Sequence, residues 1–183
     1  MSAVPDYMEP IVGWRSWLVV RDGEKFRLQS IVYEARWFPR NELIARCLQR
    51  RFSLPWSRRS EHVPPARGCH CGIYAAREPK DAASYLEGRS WADSVGVHRV
   101  IGTVSLWGRV VECTRGWRGS FAYPKTIYVP AMRRPFRLTA EPADEVALGL
   151  TDYDVPVELL DEGTSDPEDL VAALGRLREE VEQ

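Results

Sequence analysis

The sequence lacks any long apolar segment. Its longest early hydrophobic run is Trp17–Val20, whereas a helix that crosses a membrane needs roughly 20 apolar residues. The first ten residues carry Asp6 and Glu9 but no Lys or Arg, and an export signal begins with a basic stretch followed by an apolar one. We therefore expect a cytoplasmic protein with no signal peptide and no contact with a membrane.

Cysteine is also scarce, with four residues in a chain of 183. In a chain without an export signal, cysteines favour metal ligation over disulfides, because the cytoplasm is reducing. Three of the four cluster with a histidine within 25 residues, as Cys47, His62, Cys69 and Cys71. Thiolates and imidazole are the ligands that tetrahedral zinc prefers. The sequence therefore predicts one zinc ion bound by these four residues.

The spacing of these ligands indicates a structural ion. Cys69 and Cys71 point the same way on an extended backbone, and Gly72 lets the chain turn directly after them. Four protein ligands close the coordination sphere, which is typical of structural rather than catalytic zinc. The ion would anchor an arginine- and proline-rich loop, 51–68, that has little else to hold it. Free thiols and an ordinary loop histidine are the alternative, and His70 or His98 could replace His62.

The hydrophobic pattern predicts an α+β fold with a mixed, largely antiparallel sheet and short helices. Asp22 and Gly23 mark a tight turn between two β-rich runs, which predicts an N-terminal hairpin whose first strand is central because both its faces are bulky. Further strands are expected over 97–113, 120–123, 126–129, 135–139 and 155–160, and helices over 41–50, 79–86 and 142–150. We assign residues 1–161 to one zinc-stabilised domain.

Residues 162–183 are predicted to be a linker and an acidic amphipathic C-terminal helix. Its apolar stripe consists of Leu170, Leu174, Leu177 and Val181. From residue 141 onward the chain has fourteen acidic residues and only two basic ones, Arg176 and Arg178, which gives a net charge of −12. Since the net charge of the whole chain is −1, residues 1–140 carry +11. Opposite charges favour docking of this helix on the protein's own body, with self-association and a partner's groove as the alternatives.

The predicted loop also suggests a nucleic-acid interface. Arg50, Arg51, Arg58 and Arg59 alternate with Phe52 and Trp56. Arginine contacts phosphates and aromatic rings stack on bases, so this composition is compatible with single-strand binding. The alternative is that the arginines lie along the loop surface while the aromatic residues pack in the core.

Two resemblances add to these expectations. The runs Cys69–Ala75, Val104–Val110 and Ala122–Pro124 resemble an uncharacterised group of actinobacterial proteins over residues 10–130, which implies a shared fold and metal-binding pattern but no activity. The strand Gly72–Ala75, followed by a helix with small residues and Tyr85, is similar to ADP-ribosyltransferases. That resemblance implies an NAD-using enzyme with Arg15 and Glu112 as candidate site residues beside Tyr74.

No combination of nucleophile, base and orienting residue is visible in the sequence. The sequence therefore predicts a zinc-stabilised interaction module rather than an enzyme. Its partner would be a protein or a nucleic acid, bound through the arginine-rich loop or the C-terminal helix.

Overall fold

The computed structural model describes residues 6–47, 62–87, 96–131, 141–160 and 171–174. Within these ranges the chain forms one mixed sheet with few, short helices. The strands are β1 Asp6–Asp22, β2 Lys25–Ser30, β3 Arg36–Trp37, β4 Leu43–Ile44, β5 Ile73–Ala76, β6 Gly96–Cys113, β7 Gly116–Pro130 and β8 Val157–Leu160. The helices are α1 Pro79–Glu87 and α2 Ala143–Leu150, with a 3₁₀ turn at Thr151–Tyr153. This confirms the predicted α+β class.

Three long strands form the centre of the sheet. Strand β1 pairs with β2 on one side and with β6 on the other, and β6 pairs in turn with β7. All pairings among the described strands are antiparallel except that of β7 with β8. The predicted hairpin is confirmed, because Asp22 lies opposite Lys25 across the turn.

Strand β1 buries both of its faces, as the sequence pattern predicted. On one face Trp17 and Val19 lie in the main core, where the Trp17 ring meets the Trp37 ring edge to face at 5.6 Å. On the other face Trp14 packs in a second cluster with Ala82, Ala83 and Leu86 of α1. Because successive strand residues point to opposite faces, a strand that carries tryptophans on both sides must lie between two layers.

The predicted helix over 41–50 is wrong for the part of that range that the structure describes. Residues Leu43 and Ile44 instead form β4, paired with Ala122 and Phe121 of β7. Leu43 packs against the core while Ile44 is exposed, which is the alternation of a strand. The open edge of β7 offers this segment backbone hydrogen bonds, and these outweigh its weak helical pattern.

Strands β4 and β5 lie one after the other along the same edge of β7. The backbone N–H of Ala45 donates to the carbonyl of Ser120 at 2.8 Å, and Ile73 lies opposite Gly119. We call the segment 46–72, which connects these two strands, the excursion. Its two neighbours in the chain, Ala45 and Ile73, contact adjacent positions of β7.

Strand β7 is longer than predicted, whereas β6 covers the predicted range 97–113 as one continuous strand. The pairing of β6 with β7 shows register shifts between Thr103 and Val104 and between Trp107 and Val110. Two strands expected within 120–129 form the single strand β7. The predicted strand over 135–139 lies outside the described residues.

The C-terminal part packs on both layers of the sheet. Helix α2 buries Val146, Ala147 and Leu150, and β8 follows, which confirms the helix and the strand predicted there. Residues 171–174 are helical, and Leu174 is fully buried in the second cluster with Trp14. The rest of the predicted C-terminal helix, with Leu170, Leu177 and Val181, lies outside the described residues. No helix in the described ranges is long and apolar enough to span a membrane.

Candidate metal centre

The four predicted ligands come together at the base of the excursion 46–72. Cys47 follows β4, and His62, Cys69 and Cys71 precede β5. Their ligand atoms all lie within 4.8 Å of one another. The Sγ atoms of Cys47 and Cys69 are 3.8 Å apart, and Nε2 of His62 lies 3.3 Å from Sγ of Cys71.

These separations suit a tetrahedral metal ion. Two thiolates bound at about 2.3 Å from one ion lie about 3.8 Å apart, and a thiolate and an imidazole nitrogen lie about 3.5 Å apart. A disulfide would require about 2.05 Å, and all four cysteines are free. The four side chains are therefore close enough to one another that they could hold a metal ion.

Burial and hydrogen bonding shift the pKa values of Cys69 and Cys71 in opposite directions. Burial alone would raise the pKa of Cys69, but hydrogen bonds from the Cys71 backbone and from the side chains of Cys71, Cys47 and His62 lower it to about 7. Burial, together with the nearby charge of Cys69, raises the pKa of Cys71 to about 11. Two thiolates side by side are therefore unfavourable here, and a bound cation would stabilise both of them.

Gly72 occupies a position that only glycine fits. Its φ of 119° lies in the left-handed region, and a Cβ atom there would lie 2.9 Å from Cβ of Pro65 and 3.0 Å from Cβ of Arg118. The chain needs this conformation to turn from the ligand Cys71 into β5. The sequence indicated this role for Gly72, because a glycine directly after a ligand pair permits such a turn.

Arg118 holds the ligand pair from strand β7. Its buried guanidinium donates to the carbonyls of Cys69 and Cys71, the latter at 2.8 Å, and its Nε donates to Sγ of Cys113 at 3.2 Å. Arg118 lies opposite Tyr74 of β5. Sequence reasoning missed this positioning residue, since an arginine within a strand carries no signal of its own for a contact so distant in sequence.

Ser120 fixes another point of the same loop. Its hydroxyl donates to the carbonyl of Pro64 at 2.7 Å, while its own carbonyl accepts the N–H of Ala45 at 2.8 Å. Through Ser120, strand β7 therefore contacts Ala45, directly before the excursion, and Pro64 within it. Together with Arg118, which holds the carbonyls of Cys69 and Cys71, these contacts show that β7 helps to position the ligand segment.

The substitute ligands do not join the group. His98 is buried elsewhere, with Nε2 2.9 Å from the carbonyl of Pro130. His70 is exposed between the two ligand cysteines and does not belong to the four-residue group. Cys113 accepts a hydrogen bond from Arg118 and does not belong to the four-residue group either.

The predicted nucleic-acid residues Arg50, Arg51, Arg58 and Arg59 lie outside the described residues. Two aromatic residues that precede these arginines in the sequence are described: Trp37 lies in the core, and Phe38 is exposed.

The residues suggested by the ADP-ribosyltransferase resemblance are only partly brought together. Arg15 and Tyr74 line one cavity, and the Arg15 side chain donates to the carbonyl of Tyr74. Glu112 is not among the residues that line this cavity. It forms an exposed ion pair with Arg77 at 2.5 Å instead.

Comparisons with protein-family models, with curated proteins and with solved structures found no match to this chain. The proposals below therefore depend on the residues and on their geometry alone.

Proposed function

We propose that this protein is a zinc-stabilised interaction module, in which zinc bound by Cys47, His62, Cys69 and Cys71 closes the base of an arginine-rich loop. The observation that carries this proposal is the 3.8 Å separation of two Sγ atoms from opposite ends of the excursion. Three thiolates and an imidazole are a common ligand set of structural zinc, and with four protein ligands the ion has no open position for a substrate.

A metal at this position would stabilise a loop that is long for a compact domain. The ligands come from both ends of the excursion. The ion would therefore hold these two ends together, as backbone pairing with β7 holds β4 and β5. Binding free energy at such a closed site is also folding free energy for the segment it joins. We therefore expect that removal of zinc unfolds the region around residues 47–71 before the sheet unfolds.

Metal analysis of the purified protein tests this proposal. We expect about one equivalent of zinc in the wild type and a loss of most of it in Cys71→Ser, because one of four ligands is removed. His70→Ala is the matched control, since His70 is exposed between two ligand cysteines but does not belong to the four-residue group. Less than about half an equivalent in the wild type, or equal loss in both variants, would contradict the proposal.

The composition of the arginine-rich loop favours an anionic macromolecule as the partner. Between residues 48 and 60 the chain carries four arginines and no acidic residue. The burial of Leu174 in the protein's own second cluster occupies part of the other candidate surface, the C-terminal helix. Phe52 and Trp56, placed between the arginine pairs, favour single-stranded nucleic acid, because aromatic faces stack on bases.

Fluorescence anisotropy with a labelled single-stranded oligonucleotide tests this partner class. We expect an affinity that falls steeply between about 50 and 200 mM salt, because phosphate contacts release counterions. The double variant Arg58→Glu/Arg59→Glu should abolish binding. The control Lys80→Glu/Lys125→Glu makes the same change in charge at two exposed positions outside this segment of the sequence and should retain it.

The proposed partner class is wrong if binding does not change with salt or if both double variants lose it equally. Binding of polyglutamate in place of the oligonucleotide would identify an acidic protein as the partner. Zinc content is measured on the same samples, so that failure of the metal site and failure of the interface can be distinguished.

A further inference from the structure

A second candidate site lies in a cavity of about 460 Å³ beside the metal centre. It is bordered by β1, by the segment that follows β2, by β5 and by α1, and its lining includes Arg15, Tyr33, Tyr74, Asp81 and Tyr85. Cavities of this size accommodate small organic ligands. None of these residues has a part in the proposed zinc centre.

Arg15 provides a cation without a carboxylate partner among the described residues. Its guanidinium donates to the carbonyl of Tyr74 and, at 2.9 Å, to the hydroxyl of Ser30, and it lies 5.2 Å from the centre of the Trp37 ring. Its buried Nε has no hydrogen-bond partner in the described chain. All of these contacts are with neutral groups, so no described residue compensates the charge of Arg15.

The cavity's charged groups leave a net positive charge. Asp81 lines the cavity, but its carboxylate forms an ion pair with Arg115 at 3.3 Å. Burial lowers the pKa of Arg15 to about 10, which still keeps it charged at neutral pH. A partly buried cation with only neutral partners is unfavourable, and an anion bound beside it would stabilise it.

Three tyrosines of the lining are also exposed. Tyr33, Tyr74 and Tyr85 are exposed to 54%, 43% and 50%. Single exposed aromatic residues are common on protein surfaces, but these three border one cavity and come from three different segments. Tyrosine provides a rigid amphipathic contact surface at low entropic cost, which suits the flat face of a planar ligand.

We infer that this cavity binds a small organic anion, a carboxylate or a phosphate monoester on a planar ring. The anionic group would be bound by the Arg15 guanidinium, and the ring would contact the tyrosines. The inference goes beyond the proposed interface for a macromolecule and uses different residues. The two sites are adjacent: His70 and Gly72, which flank the ligand Cys71 in the sequence, also line the cavity.

Calorimetric titration of the purified protein with simple probes tests the inference. Phenyl phosphate and phenylacetate are the two anionic probes, benzyl alcohol is their neutral counterpart, and inorganic phosphate lacks the ring. We expect at least one of the anionic ring compounds to bind saturably, and at least about tenfold more tightly than benzyl alcohol, because a charge-assisted hydrogen bond is lost in the neutral probe. The tighter of the two identifies the anionic group.

A matched pair of variants on α1 locates the binding site. Ser84 lines the cavity and is exposed, so Ser84→Trp should block the cavity without disturbing the core. Lys80 is exposed on the same helix but does not line the cavity. We expect Ser84→Trp to weaken the anionic probe at least about tenfold and Lys80→Trp to leave it unchanged.

Several results would overturn the inference. These are no saturable binding of either anionic ring compound, equal binding of benzyl alcohol, equal binding of inorganic phosphate, or equal effects of Ser84→Trp and Lys80→Trp. In addition, Arg15→Gln should remove the preference for the anion over benzyl alcohol. If that variant does not fold, the Ser84 and Lys80 pair still decides the matter. Because zinc content is measured in parallel, failure here is distinguishable from failure of the metal site.

Discussion

The guanidinium of Arg118 donates a hydrogen bond of 2.8 Å to the backbone carbonyl of Cys71. The same side chain donates to the carbonyl of Cys69, so one arginine of β7 holds both ends of the turn that carries two of the four candidate ligands. Residues outside the ligand set that orient ligands in this way tune metal affinity, because they set the geometry before the ion binds.

Replacement of Arg118 by lysine should weaken zinc binding by about 10- to 100-fold. Lysine is a compact charge and cannot span two carbonyls as the planar guanidinium does. Competition with a chromophoric chelator measures the affinity, and Arg115→Lys, at an exposed turn position nearby, is the control. Unchanged affinity in Arg118→Lys would show that the turn holds its own geometry.

Gly72→Ala should destabilise the protein by about 1–3 kcal/mol, because it forces a side chain into the left-handed region. The added Cβ would also lie 2.9 Å from Pro65 Cβ. Gly23→Ala is the control, since its φ is 63° but no atom lies within 4 Å of the added Cβ. Urea denaturation measures both variants. Equal losses of stability would mean that backbone strain alone, and not the crowding beside the ligands, determines the effect.

Leu174→Asp should release the C-terminal turn from the second core cluster. Leu174 is fully buried there, while Ala172 is exposed, so Ala172→Asp adds the same charge without removing the contact. Burial of an unpaired carboxylate is strongly unfavourable. Hydrogen exchange measures the effect: we expect protection over 171–174 in the wild type and in Ala172→Asp, and fast exchange in Leu174→Asp. Unprotected amides in the wild type would contradict the docked arrangement.

Tyr153 should make the protein sensitive to alkaline pH. Its buried hydroxyl donates to the carbonyl of Trp37 at 2.5 Å and accepts the N–H of Leu28 at 2.8 Å. Burial raises the pKa of Tyr153 from its ordinary value of 10.0 to about 12. The neutral phenol is therefore favoured in the folded state. Its contribution to stability is fully present below pH 10 and is lost as the pH rises through about 12.

Tyr153→Phe tests this pH dependence. We expect it to lower the free energy of unfolding at pH 7 by about 1–3 kcal/mol, because two buried backbone groups lose their partner. Its stability should then fall less steeply than that of the wild type between about pH 10 and 12. Denaturant titrations across this range provide the measurement, with Tyr33→Phe at an exposed position as the control. Parallel curves for all three proteins would refute the role of Tyr153.

Local patterns were sufficient to predict several elements. The turn at Gly23, the helix that begins at Pro79 and the two buried faces of β1 each depend on residues close in sequence. The choice of ligands was also local, because three cysteines and a histidine within one segment leave few combinations. The structure then brought those four side chains within reach of one metal ion.

By itself, then, the sequence determined the class of the fold and the candidate ligand set, because side-chain periodicity and ligand chemistry are properties of short segments. Only the tertiary structure decided that Leu43 and Ile44 form a strand, that Arg118 holds the ligand turn, and that Arg15 lines a cavity. Each of these depends on which residues lie opposite one another across β7 or β1. Such pairings join positions far apart in the chain, so no local pattern can specify them.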